Sequence, residues 1–157
     1  MVGWKNANVN IIFIDTGAFA GKFNIKDPYR AKILPCFTIA NQSELRLVTS
    51  NAVVYEAYSR IIYDTKGNIN VCLDFLKTVF EGKINVLRVT HEDELMAREK
   101  IKKYKDIKKL TLIDALTSVL MEKNNIIKVF TTDYSHFSSM NFLTIPPVEN
   151  LLQYLDD

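Results

Sequence analysis

The sequence predicts an α/β fold built on a central parallel sheet of about five strands with helices on both faces. Three observations lead there. Val9 to Ile14 is a short, nearly unbroken apolar run rich in β-branched residues, which suits a strand buried on both faces. Similar short runs recur at Leu45 to Thr49, Ile84 to Val89, Ile126 to Phe130 and Asn141 to Ile145. Between them lie longer segments with apolar residues at helical spacing, and strands alternating with helices in this way build parallel sheets.

The bulk properties fit that class. A length of 157 residues favours one domain spanning 1–157, with a core of about 9–145 and an amphipathic tail at 148–157. Such a chain can bury a core without disulfide help. Its 48% hydrophobic and 24% charged residues are ordinary for a globular protein, and a net charge of +2 is too small to imply nucleic acid alone. Cys36 and Cys72 are isolated and lack metal-type spacing, so they read as buried, reduced thiols and point to a cytoplasmic setting. The N-terminus has no apolar signal core, and no stretch approaches the roughly 18 apolar residues of a membrane span.

The elements follow in order. Strand one ends at Asp15, and Thr16 to Gly21 reads as a short helical turn. Asp27-Pro28 reads as the cap and first position of a second helix through Ala31, Ile33 and Leu34. Pro35 is expected to kink or interrupt that helix, because it removes a backbone donor. After Leu45 to Thr49, Ser50 or Asn51 caps a helix carrying Val53, Val54, Ala57, Tyr58, Ile61 and Ile62, with Glu56 off the centre of that face. Thr65 to Asn68 is a turn with Gly67 at the demanding position. Ile69 to Phe80 is the next helix, and Gly82 is expected to end it.

Beyond strand three, Thr90 caps a helix whose first turn holds Glu92, Asp93 and Glu94, as the helix dipole favours. That helix runs to about Tyr104. The stretch Arg98 to Lys109 is basic, with Lys102, Lys103, Lys105, Lys108 and Lys109 outweighing Glu99 and Asp106. Such a stretch suits either a solvated face or a contact to a polyanion. Thr111 caps a helix that is apolar on most sides and therefore deeply buried. Strand four ends at Thr131-Thr132-Asp133, strand five is stopped by Pro146-Pro147, and Val148 to Asp157 forms the tail.

Four acids stand out by position. Asp15 ends strand one, Asp133 ends strand four, Glu56 lies early on the helix after strand two, and Asp114 lies in the first turn of the buried helix. Each has a modest structural explanation; Asp114, three residues after Thr111, fits a capping box. Together, strand ends and the starts of following helices share one rim of a doubly wound sheet, where such folds bind ligands. Converging carboxylates repel and drift towards their protonated forms. A hard divalent cation, Mg²⁺ or Mn²⁺, removes the conflict and carries waters suited to phosphodiester hydrolysis. Other chemistries fare worse. There is no Gly-rich phosphate loop. His91 and His136 lack a zinc spacing. No Ser lies in a nucleophile elbow. A phosphoaspartyl mechanism wants an acid two residues beyond Asp15, where Gly17 stands.

On these residues the chain resembles the PIN-domain nucleases, most closely the small VapC-type toxin ribonucleases, over about Val9 to Ile145. The resemblance rests on FIDTGAF, SNAVVYEAYSRI, TLIDALTSVL and VFTTDYSHF in this order. It implies a three-layer fold and a Mg²⁺- or Mn²⁺-dependent endoribonuclease. Asp15, Glu56, Asp114 and Asp133 would be the acidic metal site, with Thr16, Thr111 and Thr131 in support. Phe137 stands four residues after Asp133, where many relatives place Phe three after the last acid. Lys102, Lys103, Lys105, Lys108 and Lys109 become candidate RNA contacts. The family implies a homodimer and, for toxins, a small antitoxin partner. Two other readings stay open: a PIN-like RNA-binding or assembly module with little catalysis, and a non-toxin nuclease that processes RNA or DNA.

Overall fold

The structure is a computed structural model and describes residues 7–8 and 10–151. Its sheet has the order β3-β2-β1-β4-β5, and every neighbouring pair is parallel. The strands are β1 (Ile11–Ile14), β2 (Arg46–Ser50), β3 (Ile84–Leu87), β4 (Lys128–Phe130) and β5 (Leu143–Ile145). The helices are α1 (Thr16–Phe23), α2 (Arg30–Gln42), α3 (Asn51–Asp64), α4 (Ile69–Phe80), α5 (His91–Lys103), α6 (Leu112–Lys123) and α7 (Tyr134–Ser139). The strand order steps outward from β1 to β3, then returns across β1 to β4 and β5. Right-handed crossovers therefore put α1 to α4 on one face and α5 to α7 on the other.

β1 sits at the centre, and all four of its residues are buried. This is the burial that its unbroken apolar run requires. Phe13, Phe19, Phe75, Phe130 and Phe137 are fully buried and anchor the core on both faces. Phe19 meets Phe75 edge to face at 5.1 Å between centroids, an arrangement favoured by the ring quadrupoles.

Several local expectations need correction. The turn at Thr16 is a full helix, eight residues long. Asp27 does not cap α2; its Oδ1 accepts from the Tyr29 amide at 2.8 Å, an Asx-type turn, and the helix begins at Arg30. Pro35 does not end α2, which continues to Gln42 around it. α4 closes on Glu81, and Gly82 needs no left-handed backbone: a Cβ there would stand 2.2 Å from the Thr78 carbonyl oxygen. α7 was not foreseen at all. Val148–Leu151 forms a 3-10 turn, and Leu152 and Leu155 of the expected tail lie outside the described residues. Cys36 and Cys72 are free and buried. Among the described residues no helix is long and apolar enough to cross a membrane.

Candidate metal centre and nucleic-acid interface

The site forms at the carboxyl ends of β1 and β4. Asp15 follows β1 directly and is only 1% exposed. Thr131 follows β4, is fully buried, and its hydroxyl donates to Asp15 Oδ2 at 2.8 Å. The same hydroxyl oxygen accepts from the Asp133 amide at 2.9 Å. One threonine thus fixes a carboxylate from β1 and the turn carrying a second from β4. The two ends approach closely because residue 17 is glycine: a Cβ there would lie 2.0 Å from Thr132 Oγ1.

Asp114 arrives from α6. Its amide donates to Thr111 Oγ1 at 3.1 Å and its Oδ2 accepts from the Thr111 amide at 3.3 Å, so the capping box exists. The cap does not exhaust the carboxylate. Its Oδ2 also lies 2.8 Å from His136 Nδ1. Ligand atoms of Asp114, Asp133 and His136 all lie within 4.8 Å of one another, a separation compatible with one cation. Glu56, half-buried on α3, completes the group from the facing helix. Ser50 caps that helix by accepting from the Val53 amide, and the first turns of α3 present Glu56 on this rim.

The electrostatics show strain between like charges. Burial, reinforced by the Asp114 and Asp133 charges, pushes the Asp15 carboxyl up to about 7, against the pull of its Thr131 and Thr16 hydrogen bonds. Glu56 is raised by burial and by Asp114 and Asp133; the nearby Thr16 hydroxyl and Arg60 lower it. Burial and Asp114 raise Asp133, opposed by His136 and Arg60. The Thr16 hydroxyl is buried and faces Glu56 without the alignment of a hydrogen bond. Asp15 Oδ1 is buried with no partner at all. A buried carboxylate oxygen left unpaired carries a large desolvation penalty unless a cation completes it. The donors are carboxylate oxygens, the set preferred by Mg²⁺ and Mn²⁺. The residues present therefore fit a hard divalent ion.

Two residues at this site were missed by sequence reasoning. His136 was set aside for want of a zinc spacing, yet it stands one helical turn after Asp133 on α7; that spacing was the available signal. Arg60 lies one turn beyond Glu56 on α3 and pairs with Asp27 and Asp64, each at 3.5 Å.

The basic stretch divides. Lys100 pairs with Glu122, and Lys102 with Glu99 at 3.0 Å, so these two serve α5 and α6. Lys103 lies over the Tyr104 ring. Lys105, Lys108 and Lys109 are exposed on the loop into α6. The Lys108 carbonyl accepts from His136 Nε2 at 2.9 Å, which ties that loop to the acidic rim.

The family model of the PIN domain matches residues 12–143. The chain belongs to the PIN domain family. This PIN domain is similar in fold to VapC20 of Mycobacterium tuberculosis, described as a toxin that cleaves the sarcin-ricin loop. The two share 21% identity at a TM-score of 0.73, over 84% of this chain and 96% of that one. It is also similar to PAE2754 of Pyrobaculum aerophilum, with 16% identity and a TM-score of 0.61 over 92% of this chain and 97% of that one. No curated protein matches the sequence.

Proposed function

We propose that this PIN domain is a metal-dependent endoribonuclease, and that it serves as the toxin of a toxin–antitoxin pair. The observation that carries the reading is the orphaned Asp15 Oδ1, buried beside carboxylates whose protonation burial and mutual repulsion favour. Asp15, Asp114 and Asp133, with Glu56, would hold Mg²⁺ or Mn²⁺. The ion, when bound, supplies an activated water and neutralises charge building on the phosphate. Thr131 orients Asp15 and fixes the Asp133 turn; Thr111 and His136 fix Asp114 from opposite sides. Glu56, raised above the usual carboxylate range, is suited to accept the proton of the attacking water. Lys105, Lys108 and Lys109 would contact the RNA backbone beside the cut.

The toxin assignment, a homodimer and an antitoxin partner are supported by the fold shared with VapC20. A non-toxin processing nuclease would use the same acids, and a binding-only module would not need the orphaned oxygen. The test is cleavage of an end-labelled structured-RNA pool with Mg²⁺ or Mn²⁺, followed by end-group analysis. Metal-dependent cuts leaving 5′-phosphate and 3′-hydroxyl ends are expected. Full activity in EDTA, or 2′,3′-cyclic ends, contradicts the mechanism.

A further inference from the structure

A second concavity lies on the same rim, on the β5 side of the acids. It has a volume of about 590 Å³ and is walled by Pro35 of α2, Tyr134 of α7, Thr144 of β5 and Pro146 and Val148 beyond it, with Lys32 as its one charged residue. Tyr134 directly follows Asp133, so the cavity continues the acidic site along the rim. Tyr29, at the start of α2, packs edge to face on Tyr134 at 6.5 Å between centroids.

Three properties identify the occupant. The volume falls in the range of small-ligand sites. The flat tyrosine and proline walls suit a planar ring, and bases of single strands stack on such side chains. The charge is opposite to that of the acids next door: a lysine and no carboxylate, which accepts a phosphate and not a cation. The far wall is also fixed in advance. Asn150 Nδ2 donates to the Thr144 carbonyl at 2.8 Å, and the buried Lys128 ammonium donates to the Leu151 carbonyl at 2.7 Å.

We propose that this cavity seats one unpaired nucleobase of the RNA strand cut at the acidic site, with Lys32 taking the adjoining phosphate. The proposal rests on the ribonuclease reading and adds a specificity pocket to it. It also gives Pro35 a place: a residue that a helix interior disfavours lines the pocket and leaves it open.

The test uses short single-stranded RNAs that wild type cuts, with an abasic nucleotide placed at each position in turn. Binding is measured with Mg²⁺ in an Asp15→Asn background, which halts cleavage. At one position near the cut, loss of the base should weaken binding about tenfold, within the range of base–aromatic stacking. Pro35→Phe fills the cavity and removes a helix-disfavouring residue, so folding is preserved. That variant should bind intact RNA about tenfold more weakly and lose its sensitivity to the abasic position. Lys32→Ala, on an exposed residue, should flatten the salt dependence of binding. RNA that is bound and cut with a flat abasic profile, or a Pro35→Phe protein as base-sensitive as its parent, overturns the pocket while leaving the nuclease standing. Failure of wild type to bind or cut any RNA overturns both. If the pocket instead holds a peptide of a partner, RNA binding will be indifferent to Pro35→Phe.

Discussion

His136 and Asp114 meet at 2.8 Å, through Nδ1 and Oδ2, and this pair joins the acidic site to the basic loop. The other ring nitrogen lies 2.9 Å from the Lys108 carbonyl oxygen. A carbonyl can only accept, so Nε2 carries a hydrogen. With Asp114 ionised, Nδ1 must donate as well, and the ring is then an imidazolium. Burial alone would lower the His136 pKa, but the Asp114 contact and charge outweigh it and raise it. His136→Ala is expected to lower kcat/KM about 10- to 100-fold, as loss of a group supporting a metal ligand does. Limited proteolysis should also cut more readily at Lys105 to Lys109. Unchanged kinetics and unchanged proteolysis would assign the pair a passive role.

The metal-free protein should lose stability as pH rises from about 5 to 8. Asp15 titrates near 7 when folded and at an ordinary carboxylate value, 3.8, when unfolded. The folded state therefore holds the extra proton between those values, and stability falls as pH climbs through the window. Glu56 and Asp133 are also raised and act in the same direction. His136, raised above 6.5, contributes stability that is present at low pH and is lost as pH passes its folded value. Asp15→Asn should melt higher than wild type at pH 8 in EDTA. Wild type should regain stability with Mn²⁺, and the variant should not. Thermal melts across pH, with and without metal, check both statements; a wild-type Tm that rises from pH 5 to 8 in EDTA contradicts them.

Thr131→Val keeps the shape of the side chain and removes its hydroxyl. Asp15 Oδ2 then loses its donor and the Asp133 amide loses its acceptor. Stranding buried partners costs about 1–3 kcal/mol, and cleavage should drop with it. Chemical denaturation and single-turnover kinetics read the two effects; Thr131→Ser should restore most of both.

Lys105 and Lys108 are exposed and free to meet a polyanion. Replacing both by Ala should weaken RNA binding and reduce its log–log salt slope by about one. Lys102 and Lys100 are committed to Glu99 and Glu122, so Lys102→Ala should change the slope little. Equal slopes for the double variant and wild type would remove the loop from the RNA path.

What the sequence could tell depended on how local the signal was. β1 was legible because its apolar run admits one burial pattern, and Asp15 was legible because that run ends on it. Asp114 carried two readings, and both hold: it closes a capping box and meets His136. α2 was misplaced because Asp-Pro reads as a cap, whereas Asp27 turns the chain and also pairs with Arg60, a tertiary contact. Pro35 was expected to break a helix that flanking residues carry through. α7 is short and polar, with Phe137 as its one buried anchor, so no periodicity announces it. His136 was invisible for the same reason. The extra residue before Phe137 does not expose it: its ring is buried and packs on Phe142. The convergence of the four acids followed from topology, and the structure places Asp114 and Asp133 close enough in charge to act on both Asp15 and Glu56.

The most direct test of that convergence is Mn²⁺ binding, followed by calorimetry and by the electron paramagnetic resonance of the free ion. It compares wild type with Asp15→Asn, Glu56→Gln, Asp114→Asn and Asp133→Asn. Saturable binding by wild type is expected, weakened in every variant and most in the three aspartate variants. Absence of saturable binding in wild type, or equal binding across the set, would contradict a shared metal centre and return these acids to separate structural duties.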